Sequence, residues 1–126
     1  MIKLSIIIPV YNSSKILKKL INEINSNLYT KLQNDYEIIL VNDFSNDNSW
    51  EIIKTISQEF NFIKGINLNY NVGQHGAIFV GLKNSTGDKI IIMDDDLQHP
   101  PLSLISIYEQ LVSFDACYTL YLKRKH

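Results

Sequence analysis

Residues 4–12 read LSIIIPVYN. Apolar side chains fill almost every position to Val10, and three consecutive isoleucines are β-branched. Such a run forms a strand buried on both faces rather than one with a wet side. Pro9 and Asn12 close it. The pattern recurs downstream: Tyr36 to Val41 (YEIILV) is a second buried strand ending at Asn42-Asp43. Phe62 to Leu68 is a weaker third strand, Lys89 to Met93 a fourth and Ala116 to Leu122 a fifth.

Helical periodicity fills the gaps. Ser13 or Ser14 is placed to cap a helix in which Ile16, Leu17, Leu20, Ile21, Ile24 and Leu28 recur at helical spacing. Asp47 or Asn48 opens a second, with Ile53, Ile56 and Phe60 as its apolar stripe. NYNVGQHG at 69–76 is expected as a turn, and Ala77 to Leu82 as a short helix ended near Gly87. After Pro100-Pro101 a fourth helix runs to about Val112, Pro101 suiting its first turn. Strands alternating with helices predict an α/β fold with a mostly parallel sheet covered on both faces.

The 126 residues bound the chain to a single domain, 1–126, small for a complete two-substrate enzyme. A net charge of −1 with 20% charged residues does not indicate nucleic acid as a partner. Only Lys123-Arg124-Lys125-His126 is basic. The single cysteine, Cys117, excludes an intrachain disulfide and fits a reducing compartment. The N-terminus enters a strand directly, without the pattern of a secretory leader. No apolar stretch approaches the roughly 20 residues of a membrane helix.

In sheets of this kind ligands bind at the carboxyl ends of the strands. Those exits carry Pro9-Tyr11-Asn12, Asn42-Asp43, Asn71-Gly73 and Asp94 to Gln98. The last lies in IIIMDDDLQHPP at 90–101, where a buried strand runs into three adjacent carboxylates. Strand alternation would point Asp94 and Asp96 one way and Asp95 the other. Two ionised carboxylates about 6 Å apart repel by roughly 2–3 kcal/mol. A proton relieves this; a divalent cation relieves it better, and oxygen ligands including Gln98 suit Mg²⁺ or Mn²⁺.

Other uses of such acids are excluded by position. Phosphatases with an aspartate pair, and receiver domains, carry acids after the first strand, where this chain has PVYN. The G-x-G-x-x-G of a nicotinamide-binding domain is absent. No Ser-His-Asp or Cys-His arrangement is legible, and neither His75 nor His99 has zinc-like spacing to soft ligands.

LSIIIPVYN, YEIILVNDFSNDNSWEII, LNYNVGQHGAIFVGLKNSTGD and IIIMDDDLQHPP resemble, in order and spacing, the inverting family-2 glycosyltransferases. The likeness is closer to the polyprenyl-phosphate branch, which includes dolichyl-phosphate mannose synthases and undecaprenyl-phosphate sugar transferases. The resemblance implies a GT-A nucleotide-sugar-binding fold. On it, Pro9, Val10 and Tyr11 line the base pocket, Asn12 is a further substrate-binding candidate, and Asp43 hydrogen-bonds the nucleobase edge. Asn71 and Gly73 border the nucleotide, Gly73 also serving where positive φ is needed. Gln74 and His75 lie near a helix N-terminus close to the phosphates. Asp94 and Asp96 form the catalytic pair and, with Gln98, bind metal and diphosphate, Asp95 lying beside them.

The sequence departs from that pattern at several positions. Ser13 stands where the family often has Glu, and D-D-G-S becomes Asn42-Asp43-Phe44-Ser45 with the glycine lost. The middle of D-x-D, usually small, is Asp95. Where relatives often place an arginine for the acceptor phosphate, Tyr121 stands, with Lys123 and Arg124 beyond. Relatives also continue well past residue 126, so the acceptor half is expected to be missing.

The function implied is sugar transfer, with inversion, from a nucleoside-diphosphate sugar to a polyprenyl phosphate, at the cytoplasmic face of a membrane for a full-length relative. Such a phosphate, with a second pKa of about 6, is ionised near neutral pH and needs no strong general base. A saccharide acceptor, as in cell-surface polysaccharide synthesis, and a non-catalytic nucleotide-binding remnant are the alternatives.

Overall fold

The structure, a computed structural model, describes residues 1–96, 103–112 and 118–119. In chain order the elements are β1 (Leu4–Val10), α1 (Leu17–Leu32), β2 (Tyr36–Asn42), α2 (Ser49–Glu59), β3 (Ile63–Asn67), α3 (Gly73–Lys83), β4 (Lys89–Ile92), α4 (Ser103–Val112) and β5 (Tyr118–Thr119). The five strands form one sheet in the order β3-β2-β1-β4-β5, and every pairing is parallel. The chain winds outward from β1 to β3, then crosses back to add β4 and β5 on the other side. The reversal falls between β1 and β4.

Both faces are covered, as the unbroken apolar strands require. On one face Leu4, Ile6, Ile8 and Val10 of β1 join Ile38, Leu40 and Ile91. They pack against Leu17, Leu20, Ile21, Ile24 and Leu28 of α1, Ile53 and Ile56 of α2, and Leu104, Tyr108 and Leu111 of α4. On the other face Ile7, Ile39, Val41 and Ile92 pack against Ala77 of α3. Each fully buried Leu or Ile contributes about 1.5–3 kcal/mol. Gly81 lets α3 lie close to the sheet: a Cβ there would sit 2.5 Å from Ile7 Cγ2.

The helix starts differ from the sequence expectation. Neither Ser13 nor Ser14 caps α1 with its side chain; the turn closes instead through Ile16 and Leu17 N–H on the Ser13 carbonyl. Asp47 does serve the start of α2, accepting the Ser49 N–H at 2.9 Å. The third helix begins at Gly73, not Ala77, and takes in Gln74 and His75. The expected fifth strand is described only at Tyr118–Thr119, and Pro100, Pro101, Cys117 and the basic run 123–126 lie outside the described residues. Among the described residues no helix is long and apolar enough to cross a membrane.

Candidate nucleotide-sugar site

Pro9 opens the site. β1 and β4 are in register from Leu4↔Lys89 to Ile7↔Ile92, and the last bond runs from the Met93 N–H to the Ile7 carbonyl at 3.0 Å. In a parallel ladder the next donor on β1 is residue 9, and proline has no N–H to give. The two strands part there, at the topological reversal where open α/β sheets bind ligands. On its other edge β1 stays paired with β2 to Val10↔Asn42, and the Asp43 N–H donates to the Val10 carbonyl at 2.9 Å.

The resulting cleft has a volume of about 350 Å³ and is lined by Pro9, Val10, Tyr11, Asp43, Asn71, Gly73, Gln74, Asp94, Asp95 and Asp96. Two surface hollows of about 420 and 440 Å³ are larger. They lie away from the strand exits and contain none of the acids of this cleft, so volume alone does not mark the site.

Asp43 is buried, and its carboxylate holds the start of α3. Oδ1 accepts the Val72 N–H at 2.8 Å, Oδ2 accepts the Gly73 N–H at 3.0 Å, and the Asn71 side-chain amide donates to the Asp43 carbonyl at 3.1 Å. Two helix N-terminal donors are thus satisfied by a residue at the exit of β2. Gly73 takes φ +85°, the conformation expected of it. Because α3 starts at Gly73, Gln74 enters the cleft, and its amide donates to Asp94 Oδ1 at 3.3 Å. No local cap marks this start, so the sequence alone misplaced it.

The acids stand beyond the end of β4, so simple strand alternation does not govern them, and all three line the same cleft. Asp95, expected on the side opposite Asp94 and Asp96, turns to the exit of β1. Its Oδ2 accepts the Tyr11 N–H at 3.0 Å and the Ser13 hydroxyl. Burial pushes its pKa above the usual carboxylate range; the Ser13 and Tyr11 donors pull the other way, and the charge of Asp96 adds to the rise.

Asn12 is the candidate that the structure does not bring to the cleft. At φ +53° it aims its side chain at the β2–α2 connection, where Oδ1 accepts the Asn46 N–H at 2.8 Å and the Asp47 N–H at 3.4 Å. Its role here is to tie two loops together. Phe44, where the resembled pattern has glycine, keeps a left-handed backbone at φ +58°. Gln98, His99 and Tyr121 lie outside the described residues.

Among the described residues four carboxylates line this cleft, and no Lys, Arg or His does. The donors are all oxygen, which fits a hard divalent cation. Among the described residues no three His, Cys, Asp or Glu side chains converge on one metal position.

Residues 5–124 match the profile described as "Glycosyl transferase family 2". The chain belongs to that family. Its GT-A, Rossmann-like fold is shared by solved structures. Staphylococcus aureus TarS is 29% identical with a TM-score of 0.65, over 75% of this chain and 17% of TarS. TarS 1-349 in complex with UDP is 25% identical with a TM-score of 0.73, over 89% of this chain and 32% of that one. The Pyrobaculum calidifontis mannosyltransferase PcManGT, in complex with GDP-Man and Mn²⁺, is similar in fold: 18% identity, a TM-score of 0.71, and 82% and 30% coverage. This family-2 chain spans about a third of the length of the last two.

Proposed function

We propose that this family-2 chain binds a nucleoside-diphosphate sugar at the β1–β4 opening, as the donor half of an inverting glycosyltransferase. The observation that carries the reading is the gathering of Asp43, Asp94, Asp95 and Asp96 around one cleft at the strand exits. Similarity to a TarS structure that holds UDP makes uracil the base to test first.

In this reading Pro9, Val10 and Tyr11 form the wall against the base, and Asn71 and Gly73 border the nucleotide. A carboxylate has about four acceptor positions; Asp43 spends two on Val72 and Gly73 and offers the rest to the nucleobase edge. Asp94 and Asp96, joined by Gln98, would hold Mg²⁺ or Mn²⁺, which when bound neutralises charge on the departing diphosphate. Gln74 keeps Asp94 oriented. The acceptor attacks the anomeric carbon from the face opposite the diphosphate and inverts it. The D-x-D-L-Q-x-P-P and N-x-G-Q-H strings support a polyprenyl phosphate as acceptor, met at the cytoplasmic face of a membrane.

Calorimetry with UDP and with GDP, each with and without Mn²⁺, tests the donor site. Metal-dependent binding that disappears in Asp96→Ala is the expected result; no binding by the folded wild type overturns the reading. The acceptor is tested by radiolabel transfer in a full-length relative. An organic-soluble product is expected, and a water-soluble saccharide product overturns the lipid-phosphate assignment.

A further inference from the structure

We propose that Asp95 is a positioning residue that, through Tyr11 and Ser13, sets the width of the cleft between β1 and β4. The inference rests on the nucleotide-site reading for its consequence and on hydrogen bonds for its structure. Past Ile7 the β1–β4 ladder stops because Pro9 cannot donate. The next tie across the gap is the Asp95 carboxylate, reached by the Tyr11 N–H at 3.0 Å and by the Ser13 hydroxyl, 84 and 82 residues away in sequence. A side chain thus replaces the missing ladder bond where the opening must stay wide enough for a ligand.

The tie acts on residues that form the cleft wall. Tyr11 lines it directly and is joined through backbone to Pro9 and Val10. Ser13 carries the restraint onward: its hydroxyl also lies 3.2 Å from the Tyr11 carbonyl, and its N–H donates to Ser49 Oγ at 2.9 Å. Independently of Asp95, the loop after β1 is held to α2 by Ser13 and to the β2–α2 connection by Asn12. Ser13 and Asp95 are also two positions at which the sequence departs from the pattern it resembles. They touch each other, so one carboxylate placed at either position could bridge the gap.

The test uses Asp95→Ala, Ser13→Ala and the exchange variant Asp95→Ala/Ser13→Glu, with amide hydrogen exchange at Tyr11 and calorimetry with UDP and Mn²⁺ as readouts. Asp95→Ala is expected to speed Tyr11 exchange and to weaken nucleotide binding about tenfold, the worth of one hydrogen bond to a charged group. Ser13→Ala keeps the Tyr11 bond and is expected to weaken binding less than Asp95→Ala does. The exchange variant is expected to return binding to within about threefold of wild type, which a merely structural defect would not allow. Faster Tyr11 exchange with unchanged affinity overturns the positioning role, as does a folded exchange variant that restores nothing. If the wild type binds no nucleotide, the donor-site reading falls, while Tyr11 exchange still decides whether the tie exists. Should Asp95→Ala not fold, Ser13→Ala together with Asp95→Asn, which retains an acceptor for Tyr11 but not the charge, gives the same comparison; wild-type affinity in both overturns the proposal.

Discussion

Gly73 donates its N–H to Asp43 Oδ2 at 3.0 Å, although 30 residues separate them. The bond joins the exit of β2 to the first turn of α3 at a glycine held at φ +85°. Among the described residues nothing lies within 4 Å of where a Cβ would be, so Gly73→Ala is expected to lose only backbone preference, about 1–2 kcal/mol. Asp43→Ala strands two amide donors and should cost more, about 2–3 kcal/mol. Urea denaturation of both variants checks the order, and an Asp43→Ala loss smaller than that of Gly73→Ala contradicts it.

At the opposite end of the sheet, Glu37 is buried on β2 and accepts from Ser5 Oγ at 2.6 Å, Thr86 N–H at 2.7 Å and Lys64 Nζ at 2.9 Å. Burial pushes its pKa up, but the donors Ser5, Thr86 and Lys64 together outweigh burial and hold it below the ordinary 4.5. The unfolded chain therefore binds more protons here than the folded one. Stability from Glu37 is present above pH 4.5 and is lost as pH falls through the lower folded-state value. Glu37→Gln should cost about 2 kcal/mol at pH 7 and flatten the acid limb of the stability profile. A profile unchanged below pH 4.5 would show that the donors do not hold the charge.

Phe44 is half exposed and sits at φ +58°, where a side chain is strained. Phe44→Gly should raise stability by about 0.5–1 kcal/mol, the relief of strain exceeding the entropy that glycine adds to the unfolded chain. Thermal melts measure it; a destabilised variant would mean that the Phe44 ring contributes packing worth more than the strain.

Neutralising the acids should have opposite effects with and without ligand. In metal-free buffer with chelator, Asp96→Asn removes a charge crowded by Asp94 and Asp95 and is expected to melt no lower than wild type, and up to about 1 kcal/mol more stable. With Mn²⁺ and UDP the wild type should gain stability by mass action and Asp96→Asn should not. Equal ligand-induced shifts in the two proteins would remove Asp96 from the metal site.

The strands β1 to β4 were legible to within one residue: β1 occupies Leu4–Val10 as read, and β2 runs one residue beyond Val41. Continuous apolar runs signal burial on both faces whatever surrounds them. The start of α3 was not legible, because Gly73 and Gly76 have poor helix propensity and no local side chain caps the first turn. The group that satisfies the first amides, the Asp43 carboxylate, stands at the exit of β2, 30 residues away from Gly73. The partners of Asn12 were illegible for a related reason: position after a strand marks a loop near the cleft, whereas its side-chain partners belong to a different loop.

The order of apolar runs and turn residues by itself determined a parallel α/β sheet, its strand exits and the carboxylates gathered at one of them. Burial and backbone preferences act over a few neighbouring residues, and those are written in the chain. Only the tertiary structure decided that Asp43 holds α3, that Asp95 reaches Tyr11 and Ser13, and that Pro9 stands where β1 and β4 part. Hydrogen bonds act over about 3 Å in space, and no local pattern says which distant residue will come within that range.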